Sequence, residues 1–165
     1  INRALLEHAA ADRQVVVCID EAQAMPLETL ESLRLLSNLE TEKRKLLQIV
    51  LFGQPELDRK LAEPSVRQLL QRIAFHYRIG GLAREEVANY LAHRLRVAGY
   101  RGEDVFGSSA VRCLHKASRG TPRLLNILAH KSLLAVFGEG KHAVRPGHVR
   151  RAAADTEGAA SAGWW

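Results

Sequence analysis

Two adjacent carboxylates, Asp20 and Glu21, follow directly on five apolar residues, Val15-Val16-Val17-Cys18-Ile19. A short β-branched run of this kind reads as a strand buried on both faces, as in a parallel sheet. The carboxyl ends of parallel strands face the crevice where open α/β sheets bind ligands. There one acid can hold Mg²⁺, usually through water. The next can orient and deprotonate a water that attacks a γ-phosphate. A helix N-terminus, whose dipole favours acids, is the competing account. Five apolar residues in front of the pair weigh toward the chemistry.

Three more positions invite the same question. Gly53-Gln54-Pro55 ends a second apolar run, which would place Gln54 beside the two acids, within reach of a γ-phosphate or the attacking water. The alternative is a plain strand-to-helix turn, for which Gly and Pro are standard. Arg72 stands in Leu69-Leu70-Gln71-Arg72-Ile73, with Arg67 five residues earlier. An arginine at the rim of an α/β core can reach a neighbouring subunit's phosphate site and neutralise developing charge. A solvated surface arginine is the commoner fate. Arg123 follows Ser118-Arg119-Gly120-Thr121-Pro122, in what reads as the first turn of a helix. A cation is unfavourable there, yet the free N–H groups of a helix start attract anions. A phosphate, a salt bridge or simple solvation would each account for it.

Other chemistry is weaker. Gly138-Glu139-Gly140-Lys141-His142 lacks phosphate-loop spacing and a preceding strand, and reads as a turn. The seven histidines show no metal-ligand spacing with the cysteines, so no metal beyond Mg²⁺ is expected. Ser108-Ser109 has no nucleophile elbow around it.

The elements that must position these residues fall into two groups. Leu5, Leu6 and Ala9 suggest an opening amphipathic helix. After the strand at 15–19, Pro26 near N1 starts a helix with Leu27, Leu30, Leu33 and Leu36 at helical spacing. A second buried strand spans 46–52, one or two short helices span 55–62 and 65–71 around Pro64, and the alternating segment 75–79 reads as a third strand closed by Gly80-Gly81. Strands and helices alternating in this way imply βαβ units and a parallel sheet. Beyond Gly81 only helices are expected: 84–98, one capped by Ser108 or Ser109 through Ala117, one capped by Thr121 to Gly138, and one over 146–154. Residues 158–163 read as a flexible tail before Trp164-Trp165.

With 165 residues, 47% hydrophobic and 25% charged, the chain suits one ordinary domain and excludes wholesale disorder. It can bury a core without disulfides. Its two cysteines, Cys18 and Cys113, exclude a disulfide scaffold and fit a reducing, cytoplasmic setting. No window is apolar for the roughly 18 residues a membrane span needs, and Glu7 interrupts any signal-peptide core. Opening on Ile within a helix, the chain reads as part of something longer. The net charge of +6 is uneven: residues 1–82 hold 11 basic and 11 acidic side chains, residues 83–165 hold 13 and 7. A basic second half fits a polyanion, either phosphate, nucleic acid or an acidic partner, or simply a solvated face.

Four segments in order, Val-Val-Val-Cys-Ile-Asp-Glu-Ala-Gln (15–23), Leu-Gln-Ile-Val-Leu-Phe-Gly-Gln-Pro-Glu-Leu (47–57), Gln-Arg-Ile (71–73) and Arg-Gly-Thr-Pro-Arg-Leu-Leu-Asn (119–126), resemble AAA+ ATPases of the ExeA/GspA type, with their pilus-biogenesis relative MshM. The resemblance covers residues 1 to about 157. It implies an α/β fold: a partial P-loop NTPase parallel-sheet core over 1–82, an all-helical lid over 83–157 and a flexible tail over 158–165. It also implies ATP and Mg²⁺ as cofactors. Asp20 would be the Walker B metal-binding acid and Glu21 the catalytic base. Gln54 would occupy the sensor 1 region, Arg72 would be the arginine finger with Arg67 as the alternative, and Arg123 would be sensor 2.

The family's Gly-x-x-x-x-Gly-Lys-Ser/Thr loop does not occur in the chain. That loop supplies most of the phosphate cradle, so the chain alone is expected to bind ATP weakly or not at all and to be inactive. In the family's strand order, 5-1-4-3-2, the runs at 15–19, 46–52 and 75–79 would be strands 3, 4 and 5, with central strand 1 missing between the last two. Unpaired edges then favour self-association. The resemblance further implies a homo-oligomeric ring. It implies ATP hydrolysis driving assembly of a secretion or type IV pilus system, in the cytoplasm or at the inner face of a bacterial inner membrane. A DNA-associated AAA+ module of the origin-binding or transposition type, using the basic lid, ranks second.

Overall fold

The computed structural model describes residues 2–41 and 45–160. The chain divides into two compact units, 1–77 and 78–165.

The first unit is built on two strands, β1 (Val15–Ile19) and β2 (Leu47–Leu51). They are parallel and in register from Val15 opposite Leu47 to Ile19 opposite Leu51. The ladder runs one step further, because the Phe52 N–H donates to the Ile19 carbonyl (2.8 Å) and the Ala22 N–H to the Phe52 carbonyl (2.9 Å). A parallel pair needs a crossover, and α2 (Leu27–Ser37) supplies it. Its leucines Leu30 and Leu33 are buried as their spacing suggests. Pro26 is the residue capping this helix, one position before N1. The helices α3 (Glu56–Leu61) and α4 (Arg67–Leu70) follow β2 and bury Leu57, Leu61 and Leu69 with Leu30 and Val66, against Ile19, Ile49 and Leu51 of the sheet. The opening helix α1 (Asn2–Ala10) buries Leu5 against Leu46 and Leu47.

Two expectations about this unit fail. β1 is not buried on both faces: Val16 is 48% and Val17 40% exposed, and Cys18 is exposed too. The sheet has only two strands among the described residues, so the middle of β1 has too little to pack against. The segment 75–79 forms no strand. Its alternation is real, but Phe75, Tyr77 and Ile79 are 93%, 87% and 84% exposed, with no ladder to hold them. A strand pattern becomes a strand only where an edge accepts its hydrogen bonds.

The second unit is helical: α5 (Arg84–Val97), α6 (Ser108–Ser118), α7 (Pro122–Gly138) and α8 (Pro146–Ala154). Its core joins Val87 and Leu91 of α5, Leu114 of α6, Leu125 and Leu128 of α7 and Val149 of α8. Capping differs from the sequence expectation. Gly107, not a serine, caps α6, and Thr121 stands at the N-cap of α7 without a side-chain hydrogen bond. Ser118, the last residue of α6, ties the turn between the helices instead: its buried Oγ accepts the Gly120 N–H (3.2 Å), and its carbonyl accepts the Thr121 N–H (3.0 Å). At α5, Glu86 accepts the Ala83 N–H (2.7 Å). The start of the tail is packed rather than loose: Ala159 lies on the helical core, and the Ala160 N–H donates to the Ala117 carbonyl (2.9 Å). Trp164 and Trp165 lie outside the described residues. Among those residues, no helix is long and apolar enough to cross a membrane.

The turn between α6 and α7 is a tight backbone crossing. Arg119 (φ 52°) and Gly120 (φ 73°) are both left-handed. Gly81 and Leu82 pass directly over them, with the Leu82 N–H donating to the Gly120 carbonyl (2.8 Å). A Cβ on Gly81 would run into the Arg119 carbonyl oxygen, and one on Gly120 into the Leu82 backbone.

Candidate functional site

The carboxyl ends of the two strands bring Asp20, Glu21 and Gln54 together. β1 stops at Ile19, and Asp20 and Glu21 follow in an exposed turn before a single 3₁₀ turn, Ala22–Ala24. The Glu21 N–H folds back onto Asp20 Oδ1 (2.8 Å). Glu21 itself adopts φ 51°, ψ 37°. A left-handed glutamate costs on the order of 1–2 kcal/mol relative to ordinary backbone, and such strain concentrates at functional sites.

Gln23 holds this geometry, and its role was not singled out from the sequence. Its side-chain amide donates to Glu21 Oε2, while its Oε1 accepts the backbone N–H of Gln54 (3.1 Å). Gln54 Nε2 approaches the same glutamate oxygen at 3.4 Å. Gly53 leaves room for the bridge, because a Cβ there would stand 3.0 Å from Gln23 Oε1. The one available signal was position: Gln23 lies two residues past the acid pair, facing the turn that carries Gln54.

The arginines stand on other elements. Arg72 is exposed and near Glu40, whose carboxyl is held below its usual range first by the hydrogen bond and charge of Lys45, with Arg72 adding a smaller pull. Glu40 bridges to Lys45 immediately before β2, at the amino end of the strands. Five residues of strand, about 16 Å, separate that end from Asp20 and Glu21. Arg67 is exposed at the start of α4. Arg123 belongs to the helical unit, exposed in the first turn of α7 just beyond the Ser118 and Gly120 clasp.

The donor set suits Mg²⁺ better than a tightly caged metal. Among the described residues no three His, Cys, Asp or Glu side chains converge as a metal cage. Mg²⁺ keeps several waters and takes only one or two carboxylates alongside substrate phosphates. The exposed carboxylate of Asp20 at a strand end meets that requirement.

Comparison with known proteins agrees with the fold. An AAA domain family model matches residues 1–61. General secretion pathway protein A of Aeromonas hydrophila is 43% identical over 161 residues, which is 98% of this chain and 29% of that protein. The chain thus spans less than a third of that relative's length. Among solved structures, Cdc6p from Pyrobaculum aerophilum aligns over 93% of the chain and 42% of its own length, with TM-score 0.62 and 16% identity. The Thermotoga maritima RuvB Holliday junction branch migration motor aligns over 90% and 48%, with TM-score 0.55 and 14% identity. At such identities the likeness speaks for the fold: a partial AAA+ P-loop core followed by a helical subdomain.

Proposed function

We propose that the chain belongs with AAA+ ATPases of the general secretion pathway protein A type, as its 43% identity to that protein and the AAA match over residues 1–61 support, and that its strand-end acids form part of an ATP-hydrolysing centre. The observation that carries this reading is the Asp20-Glu21 pair at the carboxyl end of a parallel strand, with the Gln54 amide beside it. Asp20 would hold Mg²⁺, which when bound neutralises phosphate charge. Glu21 would take the proton of the attacking water, and Gln54 would orient that water or the γ-phosphate. Arg123 would meet the phosphates from the helical subdomain. Arg72 would serve a neighbouring subunit's site as the arginine finger, with Arg67 as the alternative. That division of labour requires a homo-oligomer, in keeping with a ring.

We assign residues 1–82 to the sheet-bearing core, 83–157 to the lid and 158–165 to a tail. The chain contains no Gly-x-x-x-x-Gly-Lys-Ser/Thr loop, so by itself it would bind ATP weakly or not at all and be inactive. Activity would then belong to a product of the reading frame that supplies such a loop. There it would drive assembly of a secretion or type IV pilus system, from the cytoplasm or the inner face of the inner membrane. In that product Glu21→Gln should lower kcat for ATP hydrolysis by about 10²- to 10⁴-fold, the usual worth of a general base, with ATP still bound. Hydrolysis at the wild-type rate by that variant would remove Glu21 from the role.

The basic excess in residues 83–165 supports a second reading, a nucleic-acid-associated AAA+ module. Phosphate contacts make such binding steeply salt-dependent. Duplex DNA titrated at low and then moderate salt distinguishes the two readings, and absence of binding at low salt eliminates the second.

A further inference from the structure

We propose that Gln23 is the positioning residue of the candidate base, coupling Glu21 to the turn that carries Gln54. This rests on the assignment of Glu21 as base. One side chain makes both links: its Nε2 donates to Glu21 Oε2, and its Oε1 accepts the Gln54 N–H. Gln23 is half-buried, whereas Glu21 and Gln54 are exposed. The bridge is therefore the anchored part of the cluster, and the groups it links are the ones open to ligand.

The bridge solves a specific mechanical problem. A glutamate in an exposed left-handed turn has no helix or strand to hold its side chain, and its backbone conformation is disfavoured. Two amide donors, Gln23 Nε2 and Gln54 Nε2, converge on Oε2. With Oε2 engaged, Oε1 is the oxygen left to accept the proton of a water. Gln54 is tied to Gln23 at its backbone as well as reaching Glu21 with its side chain. A ligand that shifts the Gly53-Gln54 turn therefore shifts the base with it. A Cβ at residue 53 would crowd Leu57 and stand 3.0 Å from Gln23 Oε1, so glycine keeps the approach to this link open.

A residue that acts through another must be silent once the other is gone. Four forms of the full-length product test this: wild type, Gln23→Met, Glu21→Gln and the double variant. Each is assayed for kcat, ATP KM and thermal midpoint. Gln23→Met should lower kcat by about 10- to 100-fold, the scale on which misplacement of about 1 Å acts, with KM changed less than about twofold. In the Glu21→Gln background the same substitution should change kcat less than about twofold. An additive second loss, or an unchanged kcat in Gln23→Met alone, would overturn the proposal. If Gln23→Met does not fold, Gln23→Glu takes its place. It keeps the length of the side chain and its acceptor for the Gln54 N–H, but sets a second carboxylate against Glu21 in place of the donor. It should lower kcat in the wild-type background and change it less than about twofold beside Glu21→Gln; an unchanged kcat in the wild-type background, or an equal loss in both, would overturn the proposal. Failure of the underlying reading looks different: Glu21→Gln alone would then retain hydrolysis, whatever Gln23 does.

Discussion

Replacing Gly120 with alanine separates two costs that glycine can conceal, backbone strain and backbone crowding. Gly120 sits at φ 73° and carries both: a non-glycine residue is disfavoured in that conformation, and an added Cβ would stand 2.7 Å from the Leu82 nitrogen and closer still to the Leu82 carbonyl oxygen. Gly140 has φ 61° with open space around its missing Cβ, so Gly140→Ala isolates the strain. Gly81 has no positive φ but faces the Arg119 carbonyl, so Gly81→Ala isolates the crowding. Strain alone is worth about 1–2 kcal/mol. Forced displacement of packed backbone costs about 1–3 kcal/mol, and weakening the Leu82 to Gly120 hydrogen bond adds roughly 1 kcal/mol. Gly120→Ala should therefore destabilise by about 3–6 kcal/mol, Gly81→Ala by about 2–4 and Gly140→Ala by about 1–2. Urea unfolding of the chain, followed by far-ultraviolet circular dichroism at matched m-values, reads all three. Equal losses at Gly120 and Gly140 would refute the backbone crossing, since only strain would then have been introduced.

Two further expectations concern other parts of the molecule. Glu139 is held well below the ordinary carboxylate range, chiefly by its hydrogen bond from Arg151, then by Lys141 and His148. A depressed folded-state value stabilises the protein above the unfolded value of 4.5 and loses that contribution as the pH falls below it. Acid titration of urea midpoints should thus show Glu139→Gln destabilised at neutral pH and less sensitive to acid below pH 4.5 than wild type; parallel curves would exclude Glu139 from the linkage. Cys18 is exposed on β1 and Cys113 only half-exposed on α6, so a thiol reagent under native conditions should modify Cys18 first, read by peptide mass mapping. Protection of Cys18 would mean that the open face of β1 is covered in solution.

The legible parts of this protein were those settled by local chemistry. Val15–Ile19 and Leu47–Leu51 are strands because β-branched and apolar residues leave few alternatives. The helix at Leu27–Ser37 follows from its leucine spacing. The acid pair and Gln54 come together because parallel strands carry their ends to one edge. What escaped depends on partners remote in sequence. Phe75, Tyr77 and Ile79 alternate as a strand would, but pairing is a property of two chains of residues, and no described edge takes them. Thr121 has the right type and place for a cap, yet Ser118 reaches the same turn from inside the preceding helix. Gln23 looked like one more polar residue in a turn, because the backbone N–H that its side chain accepts belongs to Gln54, 31 positions away.

The register of β1 against β2 has a consequence for how such a site can change over generations. Asp20 and Gln54 are matched by counting along two hydrogen-bonded rails, with the ladder continuing through Phe52 and Ala22 to the edge of the cluster. The chain between Ser37 and Leu47 enters that count nowhere, so it can lengthen or shorten while the acids and amide keep their mutual positions. A single residue gained or lost between Leu47 and Gln54 would turn every later side chain to the opposite face and dissolve the cluster at once. The site is thus insulated from insertions in the crossover and wholly exposed to them in the strand that leads to Gln54.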